Sequence, residues 1–152
     1  MLPNLIGIRN SLKVIIENPL KQNRMLSPEE TYKLGIADAI FEPQRFIEDS
    51  VAWADKVLGG YKPTRKNKPG LFERLVVWSP AVSIARKMLK SKIGTVPLAP
   101  YAALDLIDKA KFSSKEVGFK REDEELEKLI SSDQFRASMY AFNLVQKHAK
   151  NP

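Results

Sequence analysis

The chain has 152 residues, 43% of them hydrophobic, a formal net charge of +7 and no cysteine. That composition supports one domain's core and excludes a disordered chain, a disulfide framework and a thiolate nucleophile, while leaving zinc no obvious site. Pro3, Arg9, Lys13 and Glu17 interrupt the apolar start and no uncharged run of 18 residues exists, so neither an export signal nor a membrane span is expected and the cytoplasm is the expected compartment.

Residues 4 to 18 read as a helix. Leu5, Ile6, Ile8, Leu12, Val14, Ile15 and Ile16 lie on more than one side of it, which calls for cover around most of its circumference. In SPEETYKLG, Ser27 can cap a helix with Pro28 at its first position and Glu30 three residues on, a capping box, and Gly35 can close the helix in a left-handed conformation. Ile36, Asp38 and Ile40 then alternate with Ala37, Ala39 and Phe41, so the pattern predicts helix, tight turn and short strand. Pro43 opens a second helix, where Phe46, Ile47, Val51, Trp53, Ala54, Val57 and Leu58 recur at helical spacing before Gly59 and Gly60. YKPTRKNKPG, residues 61 to 70, reads as a linker and a boundary. Leu71 to Ser91 is helical again, with a kink or restart expected at Ser79-Pro80. Gly94, Pro97 and Pro100 are expected outside regular helix, which resumes from Tyr101 to Lys111. Gly118 should separate it from one long last helix, with the acids of REDEELEKLI near its start and the bases of QKHAK near its end, as the helix dipole favours. No repeat recurs at a fixed period, and the fold class is mainly α with at most one short strand.

The positive charge is concentrated in the middle. Residues 61 to 92 hold nine basic side chains (Lys62, Arg65, Lys66, Lys68, Arg74, Arg86, Lys87, Lys90 and Lys92) against the single acid Glu73, while the flanking thirds nearly balance. Such a stretch can attract phosphates or an anionic surface, yet a solvated or inter-domain face is the plainer reading. Two prolines break it and few aromatics interleave it, which suits neither a groove-filling helix nor a base-stacking platform. No nucleic-acid partner is therefore expected. The rival is an independent helical binding module built on residues 61 to 92.

The opening helix, the NPLKQNRMLSPEETYKLGIADAIFEP segment and the FIEDSVAWADKVL helix resemble, in that order, the part of the crotonase (enoyl-CoA hydratase/isomerase) superfamily that follows its catalytic core. Ser27, Glu29, Glu30, Leu34, Gly35, Ile36, Asp38 and Ile40 occupy its capped turn. Further on, ARKMLKSKIGTVPLAPYAALDLIDKA and GFKREDEELEKLISSDQFRASMYAFNLVQKHAK resemble the segment that joins the hydratase half to the 3-hydroxyacyl-CoA dehydrogenase half in multifunctional fatty-acid oxidation enzymes of the alpha-subunit type. Pro97-Leu98-Ala99-Pro100 stands where relatives have Pro-Ala-Pro, one residue longer, and Phe135 to Lys150 matches a long helix with a basic end. The resemblance implies the C-terminal helical part of a crotonase-like fold, with residues 1–60 a core segment, 61–70 a linker and 71–152 a helical region leading to a dehydrogenase half.

The same resemblance implies what is missing. Relatives hydrate a 2-enoyl-CoA with two glutamates and two backbone amides that would precede Met1, and their dinucleotide-binding unit would follow Pro152; no GxGxxG runs through Gly7, Gly35, Gly59, Gly60, Gly70, Gly94 and Gly118. No catalytic, metal-ligating or cofactor-binding residue is therefore assigned to this chain, although a CoA thioester substrate and NAD are implied for a complete enzyme. Glu29-Glu30 and Glu124-Glu125 read as helix capping and a solvated face, and His148 as solvent-facing, because paired carboxyls do chemistry only in contrasting environments. The family places a phenylalanine and a lysine of its terminal helix near the nucleotide end of CoA. Phe142 and Lys147 are the corresponding substrate-binding pair, but at a spacing of five rather than three, which puts them on different faces and favours core packing for Phe142. Trp53 and Trp78 also read as core.

The expected function is a fragment of a β-oxidation enzyme that supplies packing and domain docking, with the rest of the hydratase core and a dehydrogenase half as partners and a second copy or a thiolase as further candidates. A fragment of a stand-alone hydratase/isomerase is the nearer alternative. If the core is missing, Ile6, Ile8, Leu12, Val14, Ile15, Ile36 and Ile40 should lack burial, and the helices after residue 71 should pack mostly on one another.

Overall fold

In the computed structural model, which describes residues 1–21 and 24–150 apart from the side chains of 149 and 150, the opening helix stops after one turn. Its first piece, α1 (Pro3–Ile6), ends at Gly7, whose φ of 79° falls where side chains with a Cβ are strained. The Glu73 carboxylate accepts the Ile8 N–H at 2.8 Å, and a Cβ on Gly7 would come within 2.8 Å of that oxygen. The helix expected over residues 4 to 18 therefore divides, and α2 (Ile8–Leu12) begins with an acid at its positive end.

Beyond Leu12 the chain winds through a π-helical turn, Lys13–Glu17, into α3 (Asn18–Leu20). Another π-helical turn, Glu73–Val77, leads into Trp78–Ile93. Each wide turn lies just before a proline, Pro19 in the first and Pro80 in the second. A proline ring has no N–H and collides with the carbonyl four residues back; the wider turn shifts that carbonyl away. The kink expected at Ser79-Pro80 is thus a widening of the helix just before it.

α4 (Pro28–Leu34) has the capping box in full: the Glu30 N–H donates to Ser27 Oγ at 3.1 Å and the Ser27 N–H donates to the Glu30 carboxylate at 3.0 Å. Gly35, at φ 79° and ψ 22°, closes it. The Gly35 N–H reaches Tyr32 O and the Ile36 N–H reaches Thr31 O, each at 2.9 Å, so two of the last carbonyls are satisfied. Residues 36 to 41 differ from the short strand that their alternation suggests. They belong to no strand among the described residues, because a strand needs a partner edge, and the Ile36 and Ala37 amides instead turn back onto Thr31 O.

A 3-10 turn, Pro43–Arg45, leads into α5 (Phe46–Leu58), which ends at Gly59. One side of α5 joins an edge-to-face aromatic chain, Phe46 to Phe41 to Trp53 to Tyr61, with ring centroids 6.4, 6.4 and 5.3 Å apart. No residue of α5 is buried, and Trp53 is only half-buried. Ile47, Val51 and Leu58 share the opposite stripe and stay exposed.

After Glu73 a second compact unit begins; the first runs from Leu2 to Glu73, and Met1 belongs with the second. The second unit's core comes from α6 (Trp78–Ile93), through Trp78, Val82 and Leu89, and from α7 (Leu98–Lys109), through Leu104 and Ile107. The fully buried Trp78 donates its indole N–H to Ile107 O at 3.0 Å, as a core tryptophan must to avoid stranding that donor. Pro100 lies inside α7, contrary to expectation, because it occupies the first turn, where the amides lack helical acceptors in any case. Gly118 does not separate helices either. It sits within α8 (Lys115–Ile130), where an added Cβ would stand 2.9 Å from the Met1 sulfur.

The long last helix is broken instead at Ser131-Ser132, and Ser132 Oγ accepts the Phe135 N–H at 3.1 Å as α9 (Asp133–Lys150) begins. REDEELEKLI therefore makes up the C-terminal part of α8, and only Glu116 stands in its first turn. The Lys150 side chain, part of the expected basic end, lies outside the described residues.

Burial departs from expectation in both units. Ile6, Ile8, Leu12 and Ile16 are buried, whereas Val14, Ile15 and Ile36 are half-buried and Ile40 is exposed. Along α9 every described residue is exposed or half-buried.

Candidate functional site

The terminal helix separates the two side chains assigned to CoA. Phe142 and Lys147 both lie on α9 and both are exposed, and five residues of helix turn them well apart. Phe142 is 58% exposed, so the core role favoured for it does not hold; nothing among the described residues covers that face. Phe135, Met139 and Val145 are exposed on the same side of the helix, and Tyr140 on the other. His148 is exposed, as expected.

The carboxylate pairs do structural work. The Ser27 hydroxyl donates to Glu29 at 2.8 Å and holds that carboxyl below its ordinary range. The Ser27 backbone N–H, followed by the Arg24 guanidinium at 2.7 Å, does the same for Glu30. A general acid needs its pKa raised, and these are moved the other way. Glu124 and Glu125 engage Lys120 and Lys128 on the surface, at 3.9 and 3.3 Å. Among the described residues no group of His, Asp and Glu could hold a metal ion, and no helix is long and apolar enough to cross a membrane.

The charges of residues 61 to 92 are divided between the two compact units. Several are already committed. Arg65 pairs with Asp38 at 3.0 Å, Arg74 donates to Lys111 O while lying over the Trp78 ring, and Arg86 pairs with Asp105 beside the Tyr101 ring.

Among the described residues, a smaller and a larger cleft open in the first unit. The smaller, about 240 Å³, is lined by Lys13, Glu17, Lys21, Arg24, Glu30 and Leu34 among others; Lys21 pairs with Glu17 and Arg24 with Glu30, which leaves Lys13 outside both pairs. The larger, about 450 Å³, lies between the Gly35 turn and residues 61 to 67. Asn67 Nδ2 donates to Lys33 O at 2.8 Å, and the Arg65–Asp38 pair ties the same two walls. The segment read as a linker is thus fastened to the capped turn. Lys33 and Lys66 carry no ion pair among the described residues, and Tyr32 and Tyr61 present half-exposed rings. This grouping was not anticipated from sequence; the available signal was a basic segment able to meet the acid Asp38, close behind Gly35.

Comparison with known proteins points one way. The chain is similar to the glyoxysomal fatty acid beta-oxidation multifunctional protein MFP-a of Cucumis sativus, at 24% identity over 157 residues, covering 99% of this chain and 20% of that protein. It is likewise similar to the peroxisomal fatty acid beta-oxidation multifunctional protein AIM1 of Arabidopsis thaliana, at 24% identity over 156 residues, with the same shares covered. The chain therefore spans about a fifth of the length of these curated relatives. No protein-family profile matches it, and no solved structure matches it. The likeness relates the chain to fatty-acid oxidation multifunctional proteins.

Proposed function

We propose that this chain is the connecting part of a fatty-acid β-oxidation multifunctional enzyme, standing between an enoyl-CoA hydratase half of crotonase type and a 3-hydroxyacyl-CoA dehydrogenase half, and that it serves packing and docking. The observation that carries the reading is the collinear likeness over 99% of this chain to a fifth of each multifunctional relative. The apolar stripes left uncovered on α5 and α9 support it, since exposed apolar faces of this extent mark surfaces that meet other protein. Phe142 and Lys147 would meet the nucleotide end of CoA only in the assembled enzyme, whose substrate would be an acyl-CoA and whose oxidant would be NAD. The cytoplasm is the compartment we propose, although the two plant relatives are named for the glyoxysome and the peroxisome.

The test is hydration of crotonyl-CoA. Purified chain alone should show no turnover, because no described pair of carboxyls is placed for acid and base work. Saturable turnover that disappears when residues of this chain are mutated would overturn the reading.

A further inference from the structure

We propose that the 450 Å³ cleft between the Gly35 turn and residues 61 to 67 binds a nucleoside phosphate, a role independent of the function proposed above. Its size falls within the range of small-molecule sites, roughly 300 to 1,000 Å³. The walls are held before any ligand arrives: Arg65 pairs with Asp38 at 3.0 Å, Asn67 bonds Lys33 O at 2.8 Å, and Pro63 stiffens the segment between them. That pairing uses the cleft's one acid. Lys66 carries no ion pair among the described residues and Lys33 has only the field of Glu29 outside the cleft lining, so the cleft keeps a net positive charge that suits phosphate.

The two tyrosines decide between a bare anion and a nucleotide. Tyr32 and Tyr61 line the cleft and are 49% and 50% exposed, although Tyr61 also meets Trp53 edge-to-face with ring centroids 5.3 Å apart. A base can lie on such a ring, and base–aromatic stacking contributes about 1 to 3 kcal/mol per base. A phosphate alone would leave the exposed half of each tyrosine in water. The smaller cleft, where Lys13 stands beside the two ion pairs, has no aromatic ring in its lining.

The full chain titrated calorimetrically with ADP, and separately with adenosine and with inorganic pyrophosphate, tests this. ADP should bind more tightly than either half-probe and should slow trypsin cleavage after Arg65 and Lys66. The double substitution Lys33→Gln/Lys66→Gln should weaken ADP about ten-fold or more, an amount easily resolved in Kd. Tyr61→Leu should weaken ADP while leaving pyrophosphate unchanged, and Lys87→Gln/Lys90→Gln, in the other unit, should leave ADP as it was. Circular dichroism confirms that each variant is folded. Absence of ADP binding at about 1 mM, adenosine binding as tightly as ADP, or equal losses in the two lysine pairs would each overturn the proposal.

Discussion

The opening segment and the terminal helix are built from similar side chains and meet opposite fates. Ile6, Ile8, Leu12 and Ile16 are buried, whereas Phe135, Met139 and Phe142 on α9 are 41%, 44% and 58% exposed. Loss of a core upstream was expected to strip the opening helix, and the helices after residue 71 were expected to cover one another. An apolar face records that cover is needed, without saying whether the same chain provides it. Gly7 and Glu73 show how local chemistry intervenes: the helix breaks, restarts against a carboxylate, and buries Ile6 and Ile8 on either side of the break.

The comparison is broken most directly by truncating the buried side. Ile8 is 0% exposed, so Ile8→Ala should cost about 2 to 5 kcal/mol of stability, the transfer term plus the cavity left behind. Urea unfolding of the two proteins measures it. A loss below about 1 kcal/mol would mean that the opening segment is no better packed than α9, since only poorly packed sites collapse so cheaply.

Much of this was legible in the residues, and the misses share a cause. Ser27, Glu30 and Gly35 act through neighbours a few positions away, so capping box and left-handed closure read directly from SPEETYKLG. Trp78 could be placed in the core from helical spacing. What failed depends on distant groups. Gly7 terminates a helix beside Glu73, Gly118 sits within one against Met1, and residues 36 to 41 have strand-like alternation with no edge to pair with. Pro100 was misplaced by a rule that holds for helix interiors and relaxes in the first turn. The cleft is not legible in the sequence because Lys33, Asp38, Arg65 and Asn67 come together only when the 61–67 segment folds back on the turn.

The cap of α4 offers a middle-sized effect that sharpens the comparison, because it stabilises a helix with no buried residue. Ser27→Ala should cost about 1 kcal/mol at neutral pH. The Ser27 hydroxyl and the Ser27 N–H depress Glu29 and Glu30 respectively. A carboxyl with a depressed folded-state pKa stabilises the fold above its unfolded value of about 4.3, and that contribution fades as pH falls through the lower folded value. Glu29 loses its main partner in the variant, so the gap between the proteins should narrow between neutral pH and about pH 3. Urea midpoints at the two pH values measure it, and a gap that widened in acid would contradict the cap.

The smallest effect tests the exposed side. Phe142→Ala removes a large aromatic ring, and at a packed position that would cost about 3 to 5 kcal/mol. Phe142 is 58% exposed on a helix that buries none of its described residues, so stability of the isolated chain should change by only about 0.5 kcal/mol. Self-association should change more than stability does, because an uncovered apolar stripe including Phe135, Met139 and Phe142 lowers its free energy by meeting another such surface. Sedimentation velocity alongside urea unfolding separates the two quantities. A loss above about 2 kcal/mol in a demonstrated monomer would place the Phe142 ring in a packed interior, and the contrast between the two ends of the chain would disappear.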